Sequence, residues 1–185
     1  MKLKACLLFS SLWLIALPCT AKEFNIPNGD TQALLKAITL CNQSPEADVI
    51  ILARNGLYAI DKPIHPHFLL PPLKNKLTIE GNGSEIRRYI KAAYALMATD
   101  RNSDIIVRNL TLAEGSEGAI TNHGNLQLDR VRIIDTDSGK AKAIIGNWGR
   151  MSLSNTELAY NHIPIQAHDA GVIINHGELS LSFSM

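Results

Sequence analysis

The chain has too few cysteines to be held together by disulfides and no excess of charge of either sign. Of its three cysteines, Cys6 and Cys19 lie in an N-terminal segment predicted to be removed, which leaves Cys41 alone and excludes an intramolecular disulfide. The formal net charge is +1 with the signs interspersed. Nucleic acid and anionic membranes are therefore not expected partners. The stability must come from packing.

Long apolar runs are also missing after the first 21 residues. Lys2 and Lys4 precede an apolar run from Ala5 to Leu17, and the small-residue stretch Pro18-Cys-Thr-Ala21 follows. This order predicts a secretory signal peptide over residues 1–21. The run is about a dozen residues, shorter than the roughly 20 that cross a bilayer. We expect a secreted, periplasmic or cell-surface protein whose mature chain starts at Lys22 and has no transmembrane segment.

Several motifs that would point directly to an activity are absent. The chain has no Gly-rich phosphate loop, no Gly-x-Ser-x-Gly elbow, no Cys-x-x-Cys pair and no His-Glu-x-x-His sequence. What the sequence does contain is a repeated phrase, with glycines at Gly124, Gly149 and Gly177, each followed by an apolar-x-apolar strand pattern. A repeat of this period predicts stacked supersecondary units.

The repeat extends backwards to give six rungs, each rung being one turn of the stack. Steps of 21 to 28 residues leave room for short strands and bends but not for a crossover helix, which favours an all-β parallel β-helix. The inward-facing positions are predicted to stack in one aliphatic column: Val49, Leu77, Ile105, Leu126, Met151 and Leu179.

The two ends of the predicted solenoid differ. Residues 22–48 are predicted to form a strand and an amphipathic helix, with Asp30 as N-cap and with Leu34, Ile38 and Cys41 at helical spacing. Such a helix would cap the first rung. Residues 49–185 form the rungs, and their strand pattern continues to the last residues without a cap. The open edge predicts self-association or a shortened family member.

Five segments carry a resemblance to a known family: Ala33-Leu-Leu-Lys-Ala-Ile38, Asp48-Val-Ile-Ile51, Leu77-Thr-Ile-Glu-Gly-Asn-Gly83, Asn109-Leu-Thr-Leu112 and the Ala-Ile-x-Asn-x-Gly phrase at Ala119. Together they resemble bacterial secreted parallel β-helix repeat proteins of the CSLREA type. The resemblance implies a right-handed, pectin-lyase-like β-helix solenoid with an N-terminal capping helix, and it implies export. It implies little about activity, because this fold hosts several functions.

Side chains on successive bends offer a candidate site. If Leu112, Ile133 and Leu158 are equivalent, then Glu114, Asp135 and Tyr160 align two residues further on, and Asp137 aligns with His162 two residues beyond that. Three side chains could bind calcium, the only cofactor that the residues suggest: Glu114, Asp135 and Asp137. Tyr160 could stack on a sugar, and Asp135 with His162 could transfer protons. The alternative is that these are ordinary solvated turn residues.

A second candidate column precedes the repeated glycines. His123, Trp148 and His176 could form an aromatic platform in which Trp148 binds a sugar. The alternative is a turn in which Asn122 and Gly124 supply left-handed or Asx-turn geometry and the residue between them points outward.

Two functions remain open from the sequence. The favoured hypothesis is a non-catalytic module for extracellular interaction, with a surface polysaccharide as the expected partner. The alternative is a polysaccharide lyase or glycoside hydrolase that acts on acidic glycans through Glu114, Asp135, Asp137 and His162.

Overall fold

A computed structural model describes residues 20–164 and 170–183. Most of the predicted signal peptide lies outside these residues. The chain forms one α-helix, α1 (Thr31–Cys41), a short 3-10 helix (Gly139–Ala141) and fourteen strands within the described residues. The strands are β1 (Glu23–Ile26), β2 (Ala47–Leu52), β3 (Leu57–Ile60), β4 (Lys76–Arg88), β5 (Met97–Ala98), β6 (Asp104–Ala113), β7 (Ile120–Asn122), β8 (Asn125–Asp129), β9 (Arg132–Ile134), β10 (Ala143–Asn147), β11 (Arg150–Ser154), β12 (Glu157–Ala159), β13 (Gly171–Asn175) and β14 (Glu178–Ser182).

Every strand pair is parallel, and each strand pairs with its equivalents on the neighbouring rungs. The main path of the larger sheet runs β1-β2-β4-β6-β8-β11-β14, and β13-β10-β7-β5 forms the smaller sheet. Strands β3, β9 and β12 continue the rungs beyond the first bend. The predicted all-β, right-handed parallel β-helix solenoid of about six turns is confirmed.

The inward column matches the prediction on five of the six rungs. Leu77 pairs with Ile105, and the column continues through Leu126, Met151 and Leu179. The first rung is wrong by one residue, because Leu77 pairs with Asp48 instead of Val49. Since side chains alternate along a strand, Val49 faces outward.

Asp48 therefore occupies an inward position that was predicted to be aliphatic. Its side chain is buried, and Oδ1 accepts a hydrogen bond from the backbone N–H of Lys22 at 2.7 Å. The neighbouring inward positions, Ile50 and Leu52, are fully buried in the core. Every residue from Val49 to Leu52 is apolar, so no alternation of polar and apolar residues indicates which of them face inward.

The helix forms as the sequence predicts. Oδ1 of Asp30 accepts a hydrogen bond from the backbone N–H of Ala33 at 2.9 Å, which caps the first turn. Leu34, Ile38 and Cys41 are buried in the same apolar core as the first strands. Within the described residues, no helix is both long enough and apolar enough to cross a membrane.

The chain turns corners at residues with left-handed backbone. One such corner recurs on five rungs, at Asn55, Asn82, Asn109, Arg130 and Asn155, with φ between 50° and 53°. Asparagine tolerates this conformation better than most residues, which explains its recurrence at this corner. A second left-handed corner, at the other end of β9 and of the equivalent strands, carries the candidate site.

Candidate functional site

Glu114, Asp135 and Tyr160 lie at the same corner on three successive rungs. The register Leu112–Ile133–Leu158 that predicted their alignment is confirmed. All three have left-handed backbone, with φ of 63°, 51° and 57°. This conformation is uncommon for glutamate and tyrosine. Asp135 is exposed, and Tyr160 is 81% exposed.

The same corner extends one rung towards the N-terminus. Arg87 pairs with Ala113, so Arg88 lies level with Glu114, and Arg88 Nε donates to the Glu114 backbone oxygen at 2.7 Å. Tyr89, the next residue, is 71% exposed and lines a shallow groove of about 580 Å³ with Lys91 and Glu114. We name Tyr89, Glu114, Asp135 and Tyr160 the corner surface. It spans roughly 14 Å, three rung spacings.

Charges within the corner surface are partly compensated. Arg87 Nη1 lies 3.3 Å from Glu114 Oε1, and Arg87 Nε also donates to Glu85 Oε1. The hydrogen bond that Arg87 donates to Glu85 is the main reason that the pKa of Arg87 is raised, and the negative charges of Glu85, Glu114 and Asp135 add to it. Glu114 is therefore held beside a cation, whereas Asp135 presents its carboxylate to solvent.

Asp137 and His162 are neighbours, as predicted, and the Asp137 carboxylate and the His162 backbone have structural partners. The two residues form a parallel β-bridge, in which the His162 N–H donates to Thr136 O at 2.8 Å. Asp137 Oδ1 accepts the Gly139 N–H at 2.7 Å and closes the turn into the 3-10 helix. This hydrogen bond occupies one oxygen of the predicted calcium-binding carboxylate.

The predicted metal ligands share a side of the solenoid. In residues 20–164 and 170–183, no three His, Cys, Asp or Glu side chains are grouped as metal ligands would be. Calcium binding by Glu114, Asp135 and Asp137, and proton transfer by Asp135 and His162, stay predictions.

Sequence reasoning missed a ladder of buried amides beside the second candidate column. Thr99 Oγ1 donates to Asn122 Oδ1 at 2.5 Å, Asn122 Nδ2 donates to Asn147 Oδ1 at 2.7 Å, and Asn147 Nδ2 donates to Asn175 Oδ1 at 2.6 Å. Asn122 and Asn147 are fully buried. The recurrence of asparagine two residues before each repeated glycine was the available signal.

The turn interpretation of this column is confirmed in its Asx-turn form. The backbone N–H of Gly124 donates to Asn122 Oδ1 at 3.3 Å, and Gly149 bonds to Asn147 in the same way, which confirms an Asx-type turn. The glycines are not left-handed. Glycine is required here because there is no room for a side chain: a Cβ on Gly149 would lie 2.2 Å from Gly124 O.

The rings of His123, Trp148 and His176 stack across three rungs. Both imidazole centroids lie 5.4 Å from the indole centroid, with interplanar angles of 24° and 22°. The benzene edge of the indole lies against Gly146, where a Cβ would be 2.4 Å from Cζ3. Trp148 is 48% exposed, and its two ring faces are turned to the imidazoles. Ligand binding by Trp148 stays a prediction, and in this arrangement the ring offers its edge.

The fold and the corner surface together define a parallel β-solenoid with an exposed column of polar and aromatic side chains. Comparisons with protein-family models, with curated proteins and with solved structures found no match to this chain. The resemblance to CSLREA-type proteins stays a prediction, supported by the shape of the solenoid.

Proposed function

We propose that this chain is an exported, non-catalytic β-solenoid module that binds a glycan along the corner surface. One observation carries the proposal: Tyr160, which the left-handed corner holds 81% exposed, lies in register with Asp135 and Glu114. Aromatic rings are usually buried for most of their area, so an exposed tyrosine at this corner is available for contact with a ligand.

The chemistry of the corner surface fits sugar hydroxyls. Tyrosine rings at both ends can stack on pyranose faces, and the Asp135 carboxylate can accept hydrogen bonds from hydroxyl groups. Because Glu114 is paired with Arg87, the surface does not carry two uncompensated carboxylates side by side. The regular rung spacing also suits a polymer of repeating units.

Two features support binding over catalysis. The Asp137 carboxylate closes a turn, and Glu114 is held in an ion pair, so both have structural partners instead of facing a bond to be cleaved. Export is supported by the signal-like sequence of residues 1–21. The alternative is a lyase or hydrolase of acidic glycans, in which Asp135 and His162 act on the substrate.

A glycan array, followed by calorimetry with the best ligand, tests the proposal. We expect Tyr160→Ala to weaken binding about tenfold, the loss expected for one aromatic contact, while Tyr160→Phe retains the ring and most of the affinity. Phe183→Ala is the matched control, because Phe183 is exposed away from the corner surface. Equal affinity for wild type and Tyr160→Ala would refute the proposal. Turnover of an acidic glycan that Asp135→Asn abolishes would establish the enzymatic alternative.

A further inference from the structure

Strand β1 has one paired edge and one free edge. Among the described strands, β1 pairs with β2 alone. The Val49 N–H donates to Lys22 O at 2.8 Å and the Ala53 N–H to Ile26 O at 3.1 Å, which fixes the residues whose backbone groups face β2. Bonding residues alternate in a parallel ladder, so the N–H and C=O groups of Glu23 and Asn25 point away from β2.

An apolar groove runs beside this free edge. It has a volume of about 400 Å³ and lies between β1 and one side of α1. Phe24 and Ile26 line it from the strand, and Ala33, Ala37 and Leu40 line it from the helix. These three helix residues have the spacing of one helical stripe at the margin of the core: Ala37 is buried in it, Ala33 packs against it, and Leu40 is exposed. Because alanine is small, the two alanines leave space in the groove for the side chains of a bound segment.

The position suits a single added strand. Helix α1 covers the apolar core beside β1, so a second solenoid could not place its own core next to the first rung. An extended segment needs only the width of one strand, about 4.8 Å. Its backbone would bond to Glu23 and Asn25, and its alternate side chains would enter the groove.

The charges beside the groove favour an acidic segment. Glu23 is the one carboxylate among the described lining residues, and its Oε1 accepts a hydrogen bond from Asn25 Nδ2 at 3.0 Å. Lys36, the only cation among the described lining residues, is exposed and forms no salt bridge with any of the residues that the structure describes.

We infer that β1 accepts an extended peptide of another protein by strand addition, and that this peptide has apolar residues at alternate positions and an acidic residue near Lys36. Backbone hydrogen bonds supply affinity in this mode of recognition, and the pockets for alternate side chains supply specificity. The surface lies at the N-terminal end of the solenoid, apart from the corner surface.

The probe is a dye-labelled peptide, Val-Thr-Ile-Thr-Val-Asp, whose binding to the full chain is measured by fluorescence anisotropy. We expect saturable binding that is lost when the central Ile is replaced by proline. Asn25→Pro should weaken binding about tenfold or more, because it removes one N–H from the free edge. This variant should retain the wild-type melting temperature, since the Asn25 N–H makes no bond to β2.

Lys36→Glu tests the same site without altering the backbone. We expect it to weaken binding of the acidic probe, while Lys62→Glu, the same charge change at another exposed lysine, leaves binding unchanged. Equal binding of the proline-containing peptide, or of Asn25→Pro, would overturn the inference. So would concentration-dependent self-association of the chain that Asn25→Pro abolishes, because a second copy would then be the occupant. Tyr160→Ala should bind the peptide as the wild type does, which separates this result from the glycan proposal.

Discussion

Asn122 donates a hydrogen bond from Nδ2 to Oδ1 of Asn147, its equivalent on the next rung, over 2.7 Å in the interior of the solenoid. An amide carries both donors and an acceptor, so one residue type can repeat along the axis with every member satisfied. Asn147 Nδ2 also donates to Glu178 O at 3.0 Å, and Asn147 Oδ1 accepts the Gly149 N–H at 3.2 Å. The side chains of the ladder thus bond to one another across three rungs and also to the backbone of the adjoining turns.

Replacement of Asn147 by alanine should destabilise the fold strongly. The change leaves the buried amide of Asn122 without one acceptor and opens a cavity, so we expect the free energy of unfolding to fall by about 2–3 kcal/mol. Urea unfolding followed by circular dichroism measures it. Asn175→Ala is the control, because Asn175 belongs to the same ladder but is exposed, and its cost should stay below about 1 kcal/mol. Equal losses for the two variants would show that burial does not set the energy of the ladder.

Gly149→Ala should be destabilising even though the backbone of Gly149 suits any residue. The added Cβ would lie 2.2 Å from Gly124 O and 2.7 Å from the carbonyl carbon of His123, so two rungs must move apart. We expect a loss of about 1–3 kcal/mol in the free energy of unfolding, typical of overpacking. At Gly171 a Cβ would meet no atom of the described residues closer than 3.5 Å, so Gly171→Ala should be close to neutral. A melting temperature for Gly149→Ala equal to that of the wild type would contradict the explanation.

Cys41 should be unreactive in the folded protein. Its thiol, on the last residue of α1, is buried, and this desolvation, together with the negative charge of Asp48, raises its pKa to about 12. Because the thiolate is the reactive form, iodoacetamide at pH 8 should leave Cys41 unmodified until the chain unfolds. Mass spectrometry of the peptide that contains Cys41, across a urea series, measures the modified fraction. Modification in the absence of urea would show that the cap opens locally.

The sequence predicted the rung register wherever polar residues alternate with apolar ones. Leu126-Gln-Leu128 and Met151-Ser-Leu153 leave one possible inward face each, and both were correct. The run Val49-Ile-Ile-Leu52 allows either set of alternate residues to face inward. Because Asp48 is charged, the sequence favoured Val49 as the inward residue, which was wrong. A charged residue is rarely buried, so the pattern alone gave no reason to place Asp48 inside.

The candidate sites show a second limit. Alignment of Glu114, Asp135 and Tyr160 followed from rung equivalence and was correct, because a column position depends only on register. The partners of those side chains depend on rotamers and on residues from other strands, as the Arg87–Glu114 ion pair shows. The ring stacking and the hydrogen bonds of the amide ladder could be recognised only in the three-dimensional structure, although both sets of residues were visible as repeats in the sequence.

The unequal rungs have a consequence for how such a chain can change in length. From Leu77 the inward column advances by 28, 21, 25 and 28 residues, yet the strand segments that carry the column pair residue for residue from one rung to the next. The irregular stretch between β3 and β4 alone holds fifteen residues, and Leu69, Leu70 and Leu73 within it are buried. Insertions and deletions at such corners leave the neighbouring rungs unaltered. The architecture can therefore acquire a new surface loop on one turn while the sequence of every other turn stays the same.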